Sequence, residues 1–189
     1  MQSYTVEKNV GSGGYAYVHE VHDPLHPERL LVCKILRKKK AETALNDLHF
    51  EYSLLRAIAE RSTKDLPSPV PHVYDFIFEP CPSIVMERMQ TDLFCMITDA
   101  KIFQTTAVLM KYSEEIVRAI LFLHTMGIVH CDVKPCNIML SHSGALKLID
   151  FGLSQWSCDD AVCFHPKGTR GFLSPEAHSP RGYYCKPQD

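Results

Sequence analysis

His130-Cys131-Asp132-Val133-Lys134-Pro135-Cys136-Asn137, followed downstream by Asp150-Phe151-Gly152 and then by Ser174-Pro175-Glu176, decides the fold. Between the first two segments, Ile138 to Ile149 reads as two short apolar runs around Ser143-Gly144. That is the pattern of a β-hairpin with a tight turn. A hairpin brings its two ends together, so Asp132, Lys134 and Asn137 at one end approach Asp150 at the other. The result is a cluster of two carboxylates, an amide and an ammonium.

Composition bounds what surrounds this cluster. The chain has 189 residues, 46 % of them apolar, enough to bury a sizeable core. A formal net charge of −2 exerts no pull toward nucleic acid or an acidic membrane. No stretch approaches the roughly 20 apolar residues that span a bilayer, and Met1 to Val10 lacks the basic and apolar regions of an export signal. The eight cysteines are scattered, which reads as reduced thiols of an intracellular protein. There is no internal repeat and no low-complexity segment.

Upstream, Tyr4 to Ile35 holds short extended segments around Gly11-Ser12-Gly13-Gly14-Tyr15-Ala16-Tyr17-Val18. Glycines let a backbone approach an anion and aim its amides at it, although an ordinary hairpin turn carries the same residues. Leu30 to Leu36 is apolar apart from Lys34, and in a strand Val32, Lys34 and Leu36 share a face. Ala44 to Ala59 reads as a helix with Leu48, Leu55 and Ile58 on one stripe, and Glu51 sits on that stripe. A lysine and a glutamate on buried faces each need a counter-ion, and pairing them meets both needs. A snorkelling lysine with a rim glutamate is the alternative. Arg37-Lys38-Lys39-Lys40 reads as a solvated loop in preference to a nuclear-localisation patch. Tyr74 to Phe78 and Ser83 to Met89 read as strands. Ala107 to Thr125 reads as a helix carrying Leu109, Tyr112, Ile116, Ile120 and Leu123 and ended by Gly127.

In their order and spacing these segments resemble the eukaryotic protein kinases of the serine/threonine type. The resemblance implies an α+β, bilobal fold spanning 1–189 as one domain: an antiparallel β small lobe (1–86), a hinge (87–92) and a partial, mainly helical large lobe (93–189). It implies transfer of the γ-phosphate of ATP to serine or threonine hydroxyls of protein substrates, with ATP and Mg²⁺ as cofactors. Asp132 would accept or orient the hydroxyl's proton, Lys134 would contact the γ-phosphate, and Asn137 and Asp150 would each take Mg²⁺. Gly11, Ser12, Gly13 and Gly14 would cover the phosphates, with Ala16 where a third glycine usually stands. Lys34 paired with Glu51 would position the α- and β-phosphates; Val18, Val32 and Met139 would contact adenine. Met86 would be the gatekeeper, and the backbone from Glu87 to Met89 would hydrogen-bond adenine, with Asp92 near the ribose. Phe151 would pack against the helix bearing Glu51. Lys167 to Glu176 is similar to the substrate-docking loop, with Thr169 beside Asp132 and Lys134. A chance hairpin with two exposed acids does not account for so many features in order.

The departures from the family pattern are informative too. Cys131 replaces the arginine that usually pairs with a phosphorylated activation-segment residue, so phosphate on Ser154 or Ser157 is expected to activate little. Cys158, Cys163 and His165 are three potential ligands on one loop, too few for a structural zinc site, and a fourth such as Cys185 would have to come from afar. His19, His22 and His26 read as loop residues. The chain ends soon after the substrate loop at Asp189, which resembles the aspartate that hydrogen-bonds the catalytic-loop backbone in the family. The helices that follow it, and the arginine that usually pairs with Glu176, are absent. The expectation is a fragment or shortened kinase with an exposed apolar floor beneath the catalytic loop, poor solubility or a covering partner. Asp150 to Gln155 and Gly168 to Phe172 look most like the cell-division-cycle kinases that fire replication origins. That likeness implies a nuclear enzyme with an activating subunit and a preference for serines near acidic residues, within the broader expectation of an intracellular protein of nucleus or cytoplasm. A non-enzymatic kinase-like module, or a small-molecule kinase of similar fold, are the competing readings. Retention of Lys34, Asp132 and Asp150 favours an enzyme, and Gly168 to Glu176 favours a polypeptide substrate.

Overall fold

A computed structural model describes residues 4–13, 16–37, 42–64, 66–99, 105–157, 162–163, 167–179, 182–184 and 189. The chain forms two compact units, Met1–Arg88 and Met89–Asp189.

The first unit contains β1 (Thr5–Ser12), β2 (Ala16–His22), β3 (Leu31–Leu36), α1 (Glu42–Arg61), β4 (Val73–Ile77) and β5 (Ser83–Glu87). The strands form one antiparallel sheet in the order β1-β2-β3-β5-β4. Alternation along β3 sorts its side chains. Leu31 and Cys33 enter a core with Val21 and Val85, against which Tyr4, Ile35, Tyr74 and Ile77 pack. Val32 and Lys34 point to the other face. Helix α1 buries Ala44, Leu48, Glu51, Leu55 and Ile58 along the expected stripe, together with Leu54. It runs two residues further at each end than the stripe, because good helix formers such as Glu60 and Arg61 extend it without needing burial. β4 begins one residue before the expected strand, leaving Phe78 outside it and exposed. β5 ends at Glu87.

The second unit contains β6 (Thr91–Asp92), α2 (Leu93–Thr98), α3 (Thr106–Thr125), β7 (Ile128–Val129), β8 (Ile138–Leu140), β9 (Leu146–Leu148), β10 (Gln155–Trp156), β11 (Val162–Cys163) and β12 (Tyr183–Tyr184). Asp92 caps α2, its Oδ1 accepting the Cys95 amide at 2.8 Å. Thr105 caps α3 in the same way. That helix ends where Gly127 takes φ +71°, its amide donating to the His124 carbonyl at 3.0 Å. The buried stripe of α3 is Ala119, Phe122 and Leu123. Leu109, expected on it, is exposed, because the inward face at that level carries Val108 and Tyr112 instead. The apolar exposure expected beneath the catalytic loop is partial: Trp156, paired with Ile128 just before that loop, is exposed, as are Leu153 and Phe172. Ile128, Val129 and Cys131 are buried, whereas Phe94, Ile97, Met110, Val117 and Leu121 on α2 and α3 face outward. No helix among the described residues is long and apolar enough to cross a membrane.

Because Ile58 is fully buried and Leu25 is exposed, Ile58→Ala should lower the unfolding free energy by about 2–5 kcal/mol. Leu25→Ala should change it by about 0.5 kcal/mol or less. Urea denaturation of the two variants beside the parent chain measures both.

Candidate active site

Residues Pro135–Asn137 form a single 3₁₀ turn. Proline is favourable at its start because the first amide of a helical turn has no partner to lose. The turn, closed by the Asn137 amide on the Lys134 carbonyl at 2.9 Å, folds both side chains back over Asp132. Asp132 Oδ2 accepts Lys134 Nζ at 2.7 Å and Asn137 Nδ2 at 2.9 Å. Its Oδ1 accepts the Thr169 amide at 2.9 Å and the Thr169 hydroxyl at 2.7 Å. Lys134 Nζ also donates to Thr169 Oγ1 at 2.6 Å, closing a ring. Burial alone would raise the Asp132 carboxyl. Donation from Lys134, Thr169 and Asn137, with the Lys134 charge, outweighs it and holds the group below its ordinary value.

The loop bearing Asp132 is itself held from below. Asp189 Oδ2 accepts the His130 amide at 2.7 Å, and its Oδ1 accepts the Cys131 amide at 2.8 Å. His124 Nε2 lies 3.1 Å from the same carboxylate. These bonds hold Cys131 at φ 66°, a conformation that non-glycine residues avoid. Burial, then the negative charge of Asp189, pushes the Cys131 thiol up to about 12, so it is an inert neutral group. Ser154 is buried and its hydroxyl donates to the His130 carbonyl at 3.2 Å. A phosphate there would therefore require the loop to open.

His130 is fully buried. Its Nε2 donates to the Ile149 carbonyl at 3.0 Å, and its Nδ1 accepts the Asp132 amide at 3.3 Å. That pair of bonds selects one neutral tautomer. Burial lowers the ring's pKa, although Asp189, the bond to Ile149 and neighbouring carboxylates oppose the shift. Phe151, also fully buried, packs its ring 4.7 Å from that of His130, centroid to centroid. On the other side, Gly168 takes φ +126°, and a Cβ added there would lie 2.6 Å from the Cys131 carbonyl oxygen. Only glycine lets the Thr169 segment come this close.

The hairpin supplies the remaining groups of this unit. β8 and β9 pair from Ile138 opposite Leu148 to Leu140 opposite Leu146. The Ile149 amide donates to the Asn137 carbonyl at 2.9 Å, which seats Asn137 next to the stretch that ends in Asp150. Asp150 has φ 62° and opens a 3₁₀ turn over Phe151–Leu153. Met139 is half-buried and stands opposite Asp92 on β6. Met89 is buried. Glu176 lies on a 3₁₀ turn, half-buried, with no side-chain hydrogen bond or ion pair among the described residues.

In the first unit, Lys34 Nζ donates to both carboxylate oxygens of Glu51 at 2.8 Å. Glu51 is buried, so the pair is the counter-ion arrangement expected from the two apolar stripes. Sheet register places Val18 opposite Lys34 and Val32 opposite Met86. Since directly paired residues point to the same side and alternate residues share a face, Val18, Val32, Lys34 and Met86 occupy one face. Gly11 and Ser12 pair with Val18 and Tyr17, and the Gly13 amide on the Ala16 carbonyl at 3.0 Å closes the turn. Gly14 lies outside the described residues. Glu87 ends β5, its Oε2 accepting the His72 amide at 3.1 Å.

The donor chemistry fits Mg²⁺ and ATP. Mg²⁺ takes oxygen ligands and is commonly held by one or two carboxylates plus substrate phosphates. Asn137, its amide nitrogen engaged by Asp132, has a carbonyl oxygen to offer, and Asp150 a carboxylate. No group of three or more His, Cys, Asp or Glu among the described residues could hold a metal by itself. Cys158, His165 and Cys185 lie outside the described residues. At Gly13 an added Cβ would meet only the Ala16 carbonyl, at 3.8 Å, so the backbone there is accessible to an anion.

The sequence pattern of the protein kinase domain matches residues 4–189. The chain belongs to the protein kinase family. It is 28 % identical over 193 residues to CBL-interacting serine/threonine-protein kinase 20 of Arabidopsis thaliana, covering 97 % of this chain and 41 % of the relative. It is 30 % identical over 172 residues to cyclin-dependent kinase 7 of Xenopus laevis, covering 88 % and 47 % respectively. It is 28 % identical over 152 residues to cyclin-dependent kinase D-1 of Arabidopsis thaliana, covering 80 % and 37 %. The kinase domain thus spans less than half the length of these three curated relatives. None of the three bears the name of an origin-firing kinase, so that subfamily likeness rests on the two short segments alone.

Sequence reasoning missed three features of the site. Gly168 is one, because the need for glycine there comes from the carbonyl of Cys131, distant along the chain. The neutral, doubly bonded His130 had no signal, because its partners are backbone atoms. Asp92 as a helix cap was legible from its position before the apolar Leu93-Phe94.

The lowered pKa of His130 sets a pH dependence. Between its folded value and the ordinary value of 6.5, the unfolded chain binds the extra proton, so stability rises with pH. The contribution is complete above about pH 6.5 and is lost as pH falls below it, at no more than about 1.4 kcal/mol per pH unit. His130→Phe should be less stable at pH 7 but show a flatter decline from pH 7 to pH 5. Equal slopes in denaturation series of the two chains would contradict the buried neutral ring.

Proposed function

We propose that this kinase domain transfers the γ-phosphate of ATP to serine or threonine hydroxyls of protein substrates. The observation that supports it most is the Asp132 carboxylate, ionised and oriented by Lys134, Asn137 and Thr169 within bonding distance. When bound, ATP would supply the transferred group and Mg²⁺ would offset negative charge on its phosphates.

The chain's own residues do the rest. Asn137 and Asp150 would hold the cation through oxygen, and Lys34, steered by Glu51, would steady the α- and β-phosphates. A carboxylate offers about four acceptor sites, and those of Asp132 are taken by Lys134, Asn137 and the two Thr169 donors. Lys134, on a flexible stem, is the partner that can leave. As its ammonium turns toward the γ-phosphate, Asp132 Oδ2 becomes free to accept the acceptor hydroxyl's proton. Thr169 and Asn137 keep the carboxylate in plane meanwhile. By the family resemblance, Glu87 to Met89 would contact adenine through their backbone, Val18, Val32, Met86 and Met139 would contact the ring, and the glycine segment from Gly11 would cover the phosphates.

The printed names of the relatives agree with this reading: two are serine/threonine or cyclin-dependent kinases from a plant, one a cyclin-dependent kinase from a frog. Protein substrates, an activating subunit and a nuclear or cytoplasmic location belong to the proposal. So does limited control by phosphate on the activation segment, since Cys131 brings no cation to it.

The test is transfer of labelled γ-phosphate from Mg·ATP to mixed protein substrates. Label should appear on serine or threonine and fall by about 10²–10⁴-fold in Asp132→Asn. A folded chain that binds Mg·ATP and transfers no more label than Asp132→Asn would instead be a binding module.

A further inference from the structure

Arg37 opens the basic run that the sequence presents as a solvated loop, yet its side chain is not loose. Its guanidinium lies over the ring of Tyr17, 4.3 Å from the centroid, and Nη2 donates to Ser12 Oγ at 2.8 Å. Ser12 and Tyr17 face each other across β1 and β2 as the last paired rung before the glycine turn. We propose that Arg37 is a clasp on the base of that turn and thereby a positioning residue for nucleotide binding. The second half rests on the reading that the turn receives nucleotide phosphates.

Three features support the clasp. First, β1 arrives at the turn poorly held: its register with β2 shifts between Val6 and Asn9 and again between Asn9 and Gly11, and the strand is exposed along most of its length. Such a ladder opens readily unless something else secures its end. Secondly, Arg37 is well rooted. It follows Leu36, the last residue of β3, which is buried and whose amide donates to the Pro82 carbonyl at 2.9 Å. One side chain therefore ties the ends of β1 and β2 to a secured strand. Thirdly, the clasp stays clear of the side it would serve. Tyr17 pairs with Ile35, whereas Val18 pairs with Lys34. Alternation puts Tyr17 and Ser12 on the face opposite Val18 and Lys34, so Arg37 acts through the turn.

Arginine is the residue suited to this. Its planar guanidinium stacks on an aromatic face while presenting a donor at its edge, which an ammonium does not do. Arg37 Nε is buried without a hydrogen-bond partner among the described residues. The stack and the Ser12 bond must offset that loss of hydration. A turn ordered in advance loses less conformational freedom when it closes on phosphates, and that difference appears as affinity.

The experiment has two arms, both independent of turnover. Amide hydrogen exchange of the nucleotide-free chain reports on residues 9–18, and calorimetry reports Mg·ATP affinity. Arg37→Ala and Tyr17→Ala should each speed exchange in 9–18 while leaving α1 and β5 unchanged. Each should weaken Mg·ATP binding about three- to tenfold. The double variant should be no weaker than either single one, and Tyr17→Phe, which keeps the ring, should match the parent. Arg37→Lys should recover less than half of the loss. Parental exchange and affinity in Arg37→Ala, or additive losses in the double variant, would overturn the clasp. If Arg37→Ala fails to fold, Tyr17→Ala alone decides the same comparison. A parent chain that binds no Mg·ATP would refute the nucleotide reading of the turn, while the exchange arm still judges the clasp.

Discussion

A buried carboxylate with four donors around it constrains everything else in the second unit. Asp132 is ionised in a place that disfavours charge, and only Lys134, Asn137 and Thr169 make that tolerable. Removing one partner of such a cluster typically costs about 3–5 kcal/mol, because a charge is left unpaired. The donors come from a 3₁₀ turn two to five residues away and from a loop far along the chain. Both must therefore be fixed before the site exists, and the supporting contacts can be understood as the means of fixing them.

Those contacts are mostly between side chains and backbone. Asp189 holds two amides of the loop that carries Asp132, His130 joins that loop to the end of the hairpin, and Gly168 lets the Thr169 segment touch Cys131. Each removes a buried polar group's need for water, so the loop can be irregular and still dry. The first unit solves a related problem by ordinary secondary structure. A strand and a helix each bring one charged residue on an apolar face, and Lys34 and Glu51 neutralise one another. Side-chain pairing across regular elements is rigid by construction; pairing across loops needs the extra bonds.

This difference explains what was legible in the sequence. Strand alternation around Lys34 and the 3.6-residue stripe holding Glu51 are periodic, so both the elements and the pair could be read directly. The hairpin from Ile138 to Ile149 was equally plain, since its turn carries Ser143-Gly144 and the glycine takes φ +83°. Helix α3 was found with its face largely as expected: Tyr112, Ile116 and Ile120 are half-buried and Leu123 buried, and Leu109 alone of the five is exposed. The tautomer of His130, the need for glycine at 168 and the stacking of Arg37 on Tyr17 depend on contacts between distant backbone segments. No local pattern encodes them. The family likeness supplied what periodicity did not: which of the many carboxylates would sit beside a lysine and an asparagine.

The central claim is that Asp132 is kept ionised by its neighbours so that it can receive a proton from an acceptor hydroxyl. A carboxyl-carbon NMR titration of the parent chain and of Lys134→Met, with Asp132 assigned by its absence in Asp132→Asn, tests this most directly. The account predicts half-protonation of Asp132 below the ordinary aspartate value of about 3.9, moving upward in Lys134→Met. A carboxyl that titrates at or above that value in the parent chain, or one indifferent to loss of Lys134, would contradict it.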